Sequence, residues 1–245
     1  MGNHTAVSTQ AYWIPHHIRV CPLFASTIVL DLKRNRYFGI GKGETRALSA
    51  VALNWSEVRG TTDDLEPMTL ETAAPIAEAL VDAGLLSREA PTTVSISTGS
   101  IDLTSTLTSV GHELTRATPM QLSHVVSFLR ALAWAGRALR ARTLYSVACE
   151  VGQWKAGEAK FDEERAIDLV SLFRRLRPHT FAARERCLFH ALTLVKFLSY
   201  YDVFPTWVIG VRAKPWGAHS WVQQGTLLLD ANPEHVCEYA PILTV

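Results

Sequence analysis

The chain has 245 residues, 48% hydrophobic and 19% charged, which excludes a disordered chain and allows one large domain or two small ones. The formal net charge of +1 removes any whole-chain argument for nucleic-acid binding. The charge is unevenly spread: residues 1–113 hold 8 Lys/Arg and 12 Asp/Glu, net −4, and residues 114–245 hold 16 and 11, net +5. An acidic front half and a basic back half favour two units with different roles.

The longest apolar stretch, Leu192 to Val211, is broken by Lys196, Asp202 and Pro205, so no membrane span is expected. The N-terminal decapeptide MGNHTAVSTQ is polar and has neither the basic nor the apolar region of a secretory signal. Cys21, Cys149, Cys187 and Cys237 are scattered and form no CxxC pair, which speaks against a disulfide framework and for free thiols. The expectation is a soluble, cytoplasmic protein.

The first unit opens with β-like runs at His17–Val20, Ser26–Leu32 and Arg36–Ile40. The last two are separated by Lys33, Arg34 and Asn35 and read as a hairpin. Glu44 to Trp55 has helical composition. A second helix opens near Pro67 with Thr69 as N-cap; Leu70, Ala73, Ile76, Ala77 and Leu80 recur at helical spacing, and Gly84 ends it. Three strands with two or three helices make a small winged-helix-like module over residues 1–88. From Ala90 to Ser109, 11 of 20 residues are Ser or Thr, so residues 89–112 read as a linker.

The second unit, residues 113–245, is helix-rich first and strand-rich last. Thr118-Pro119 opens a long helix whose Leu122, Val125, Val126, Leu129 and Leu132 share one face. Asp162 opens another helix, which Pro178 ends. Arg186 to Tyr201 reads as a third, with Leu188, Ala191, Leu192, Val195 and Leu198 as its buried stripe. Strands follow at Thr206–Arg212, His219–Gln223 and Thr226–Asp230. Helices followed by antiparallel strands define an α+β fold. Between Leu114 and Cys149 lie five arginines and no acid, either a solvated helix face or a docking surface for something acidic.

Cys187 stands at the start of the third helix, where free N–H groups, with Arg184 and Arg186 nearby, favour a thiolate nucleophile. Gln224-Gly225 reads as a two-residue hairpin turn. That register sets Gln223 opposite Thr226, Trp221 opposite Leu228 and His219 opposite Asp230, with facing Cβ atoms about 4.5–5.5 Å apart. An imidazole paired with a carboxylate is the base and orienting acid of a triad. The catalytic candidates are therefore Cys187, His219 and Asp230. His190 follows Cys187 as Cys-x2-His, but no second ligand pair has metal spacing, so no zinc site is expected. His16 and His17 read as surface residues, and Cys21, Cys149 and Cys237 as packing residues.

In order and spacing, CLFHALTLVKFL, TWVIGVR, AHSWV and LLLDANP (residues 187–233) resemble the catalytic region of the lasso-peptide maturation protease, the B protein. The resemblance implies a papain-related, transglutaminase-like fold, with Cys187 as nucleophile, His219 as base and Asp230 as orienting acid. The front half, with its Asp-Leu-Lys-Arg-Asn-Arg-Tyr-Phe hairpin followed by helices, resembles the family's leader-peptide recognition element, here fused. That implies a leader strand added beside Arg36–Ile40, touching Tyr37, Phe38 and Gly39, and packing near Ile76 and Leu80; for Tyr37 and Ile76, plain core packing is the competing reading. The implied activity is a cysteine peptidase that cuts the leader from a ribosomally made precursor. The implied partner is an asparagine-synthetase-like, ATP-dependent cyclase. No GxxxxGK[ST] is present in this chain, and no cofactor is expected. Two rivals stand beside this reading: a triad-bearing acyltransferase of the transglutaminase or arylamine acetyltransferase kind, and a non-catalytic peptide-binding scaffold.

Overall fold

The computed structural model describes residues 11–23, 26–58, 68–91, 107–110, 118–154, 161–177 and 187–245. The fold is α+β. In chain order the elements are β1 (Ile18–Leu23), β2 (Ser26–Asp31), β3 (Arg36–Ile40), α1 (Lys42–Val51), α2 (Trp55–Val58), α3 (Leu70–Asp82) and β4 (Thr108–Ser109). There follow α4 (Leu122–Ala141), α5 (Leu144–Trp154), α6 (Glu163–Leu176), α7 (Cys187–Ser199), β5 (Thr206–Arg212), β6 (Gly217–Gln224), β7 (Leu227–Leu228), α8 (Pro233–Val236) and β8 (Ala240–Thr244).

β1, β2 and β3 form an antiparallel sheet in that order. Alternation sends its residues to two different cores. Val20 and Val29 face a smaller core built with Ala47, Leu48, Ala73, Ala77 and Leu80 of α1 and α3. Cys21, Ile28 and Leu30 face the larger core formed by α4 to α7 and the second sheet. The β2–β3 turn is built for docking. Asp31 Oδ1 accepts from the N–H groups of Lys33 and Arg34, an Asx-type turn. Asn35, at φ 53°, accepts from Leu144 N at 2.7 Å and so satisfies the first amide of α5. Thr69 caps α3 by accepting from Thr72 N, and Gly84, at φ +75°, closes it with Leu85 N donating to Leu80 O.

The second sheet runs β4-β7-β6-β5-β8. β4 comes from the end of the Ser/Thr-rich stretch, pairs in parallel with β7, and delivers Val110 to the larger core; residues 92–106 lie outside the described residues. α7 is the central helix, buried on nearly every side from Ala191 to Leu198, and packs on α4 and β6. Asp162 caps α6 by accepting from Arg165 N. Among the described residues no helix is long and apolar enough to cross a membrane.

Several expectations are corrected. α4 begins at Leu122 with Gln121 as N-cap, not at Thr118-Pro119. Its expected stripe is partly reversed: Leu122 and Leu129 are 78% and 57% exposed, while Phe128, Ala131, Ala135 and Ala138 are buried. The small residues let α7 approach closely, and Leu122, Val126 and Leu129 lie on the outer face. Cys237 is exposed rather than packed. His17 is half-buried, its ring edge-on to Tyr145.

The hairpin register also differs. Gln224 pairs with Leu227 and Gln223 with Leu228, so the turn is Gly225-Thr226 rather than Gln224-Gly225. Gly225 adopts φ +55° at the first central position, as a type II′ turn requires. In this register the place opposite Asp230 belongs to Trp221, not to His219.

Candidate active site

Cys187 is the first residue of α7 and is half-buried. Arg184 and Arg186 lie outside the described residues. Tyr37 of β3 reaches the same region. Its ring packs against the larger core and meets Trp216, in the β5–β6 turn, edge-on at 5.7 Å. Burial pushes the Tyr37 phenol up to about 12, with the nearby Cys187 thiol acting in the same direction.

β6 carries His219. Its odd-numbered residues His219 and Trp221 face away from α7, while Val222 faces the larger core. The His219 ring stacks on Trp221 at 5.9 Å and meets His235 edge-on at 4.7 Å, with Tyr239 at 5.4 Å. This arrangement depends on Gly210, which pairs with His219 on β5: a Cβ there would meet Trp221 at 2.6 Å and Tyr239 Cβ at 2.9 Å. His219 is pushed down to about 4, chiefly by burial and next by His235, while Asp230 pulls it up.

Asp230 ends the ladder. Leu229 N donates to Val222 O at 2.9 Å, but the reciprocal bond is replaced by a side chain: Val222 N donates to Asp230 Oδ1 at 2.8 Å. The freed Leu229 carbonyl accepts from Arg174 Nη2 at 3.1 Å. β7 stops at Leu228 for this reason. Asp230 Oδ2 lies 3.4 Å from His190 Nδ1 on α7. His219 and Asp230 make no hydrogen bond or ion pair with each other, and neither does Cys187 with His219; the bond that Asp230 was expected to offer His219 faces His190 instead. His219 and Asp230 nevertheless line one open cleft of about 610 Å³ with Arg212, Asn232, His235 and Tyr239, a volume in the range of ligand sites. Among the described residues no group of three or more His, Cys, Asp or Glu could hold a metal.

The other expected contacts divide between the two faces of β3. Tyr37 pairs with Leu30 and faces the larger core; Phe38 pairs with Val29 and is 39% exposed; Gly39 is exposed. Ile76 is half-buried on α3, and Leu80 sits inside the smaller core. β3 pairs with β2 alone among the described strands, at the edge of its sheet.

Sequence reasoning missed His190 as a member of this cluster. The available signal was its place three residues after Cys187, on one face of α7. His235 and Tyr239 were also missed. Asn232-Pro233, a cap followed by proline at the start of α8, was the sign that the chain turns back over the cleft.

Cys187 opens the central helix α7 and is half-buried, while His219 and Asp230 line a cleft together. The transglutaminase-like superfamily model matches residues 122–244, and the chain belongs to that superfamily. No curated protein and no solved structure matches it.

Proposed function

We propose that the chain is a cysteine peptidase that removes the leader from a ribosomally made lasso-peptide precursor. The observation that carries the reading is the outer edge of β3, which no other described strand pairs, a docking place for an extended peptide, in a chain that also holds a transglutaminase-like unit with Cys187 at a helix start. In this reading the leader adds a strand to β3, with Phe38, Gly39 and Ile76 offering side-chain contacts, Tyr37 anchoring β3 against the catalytic unit and Leu80 supporting from the core. Residues 1–88 then act as the recognition part, 89–112 as the connection and 113–245 as the peptidase.

His219 takes the Cys187 thiol proton as the sulfur attacks the scissile carbonyl. The tetrahedral adduct collapses as His219 gives a proton to the departing amine, and water then releases the leader from the thioester. Asp230 orients and electrostatically supports His219. The pair is not hydrogen-bonded in the structure; catalytic bonds commonly tighten only in the Michaelis complex. A neutral His219 is the form a general base requires, and burial favours that form. The amine released is the group that an asparagine-synthetase-like, ATP-dependent partner cyclase would join to a side-chain carboxyl.

The test separates binding from cutting. With a lasso-type precursor peptide as substrate, Cys187→Ala should abolish cleavage by mass spectrometry while leader affinity by fluorescence anisotropy is retained. Cleavage above about a tenth of wild type would remove Cys187 as nucleophile, because losing a covalent nucleophile costs orders of magnitude.

A further inference from the structure

Asp230 sits between two imidazoles, and the structure treats them differently. Its side chain is 5% exposed, so its negative charge needs partners within the protein. One oxygen is fixed by Val222 N–H. The other faces His190 Nδ1 at 3.4 Å. Burial lowers the Arg174 pKa and the nearby Asp230 opposes that, while Arg174 N–H groups donate to Val110 O and Leu229 O. His190 is itself held: Phe173 packs against its ring at 5.4 Å, and its Nε2 is buried without a hydrogen-bond partner among the described residues. An imidazole with one nitrogen against an acid and the other unpartnered is set in one orientation by that acid contact.

We propose that His190 is a positioning residue of the site: its Nδ1 holds the Asp230 carboxylate at the foot of the cleft, and the support that Asp230 gives His219 depends on that hold. The inference rests on the thiol-hydrolase reading above. His190 lies one turn beyond Cys187 on the same helix, so α7 supplies both the nucleophile and the anchor of the acid. A shift of α7 therefore moves both together relative to His219. His190 acts through Asp230 and does not touch the reacting carbonyl.

Three substitutions separate this role from its alternatives. His190→Asn keeps a polar N–H near the place of Nδ1. His190→Gln moves the polar group toward the place of Nε2, and His190→Leu removes both. The probe is p-nitrophenyl acetate, which acylates a reactive thiol without needing the precursor. The expected result is kcat for His190→Asn within about threefold of wild type, with His190→Gln and His190→Leu lowered about tenfold or more and KM little changed. In an Asp230→Asn background, His190→Leu should cost nothing further, because residues acting as one unit are non-additive. The side-chain 15N spectrum needs no turnover: Asp230→Asn should move the His190 Nδ1 resonance. Wild-type kcat in all three variants, additivity in the double variant, or an unmoved Nδ1 resonance would overturn the proposal. So would an equal loss in all three, which would make the His190 ring itself the base. Cys187→Ala is the separate control: turnover surviving in that variant sinks the thiol reading, while the Nδ1 resonance still reports on His190.

Discussion

Asp230 has two jobs that one pair of substitutions can separate. Its Oδ1 accepts from Val222 N at 2.8 Å, where the sheet would otherwise use a backbone carbonyl. Asp230→Ala leaves that N–H without a partner at a position almost closed to water, a loss of about 1–3 kcal/mol. Asp230→Asn keeps an oxygen acceptor in the same place and removes only the charge. Its cost should stay under about 1 kcal/mol, the worth of an ordinary contact. In a chain of this size each kcal/mol moves Tm by roughly 2–4 °C, so Asp230→Ala should melt several degrees below wild type and Asp230→Asn within a few. Thiol-dependent turnover should fall steeply in both, since Asn cannot support an imidazolium. Differential scanning fluorimetry beside the ester assay gives both numbers. Equal destabilisation by Ala and Asn would refute the claim that the Val222 bond, rather than the charge, holds the strand end.

Other expectations concern the same neighbourhood and the seam between the sheets. His219 is held near 4 against an ordinary 6.5, so the native state binds fewer protons than the unfolded chain between those values. Stability is therefore complete above about pH 6.5 and falls as the pH drops toward 4, by about 1–2 kcal/mol after allowance for the partly solvated ring. Urea melts at pH 7 and pH 4.5 should show the slope in wild type and its loss in His219→Gln; an unchanged slope would place the titration elsewhere. Gly210→Ala forces a Cβ against Trp221 and Tyr239 and should cost about 1–3 kcal/mol, read as a lower Tm; an unchanged Tm would show that the indole is free to move. A fragment ending near residue 90 would expose Cys21, Ile28, Leu30 and Leu32, all buried in the larger core. At about 1.5–3 kcal/mol per large apolar side chain, the fragment should self-associate or unfold by size-exclusion chromatography and circular dichroism; a stable monomer would show that the seam is dispensable.

Local chemistry made much of this fold legible. Thr69 and Asp162 are side-chain caps that point outward from their own helices, and Thr206–Arg212 is a β-branched run bounded by Pro205, so these edges could be read directly. The α4 stripe could not. A helix rich in alanine and leucine has two apolar faces, and which one is covered depends on α7, not on its own periodicity. The hairpin failed by one step in the choice of turn. Gly225 can stand at either central position, and only the φ +55° at the first one, with the following pairing of Gln224 and Leu227, settles it. That step moves Asp230 off the partner of His219. The contact between Asp230 and His190 joins residues 40 apart across a helix–sheet interface, where no periodic pattern reaches. Candidate residues were thus legible as types and neighbours, while the bonds among them were set by tertiary packing.

The most direct test of the account is to trap the intermediate. The precursor is mixed with the intact chain, quenched in acid within the first turnover and digested, and the Cys187 peptide is weighed. Leader mass should be joined to Cys187 as a thioester that hydroxylamine removes, with no such adduct in Cys187→Ala. Leader release at an undiminished rate in Cys187→Ala, or an adduct on any other residue, would contradict it.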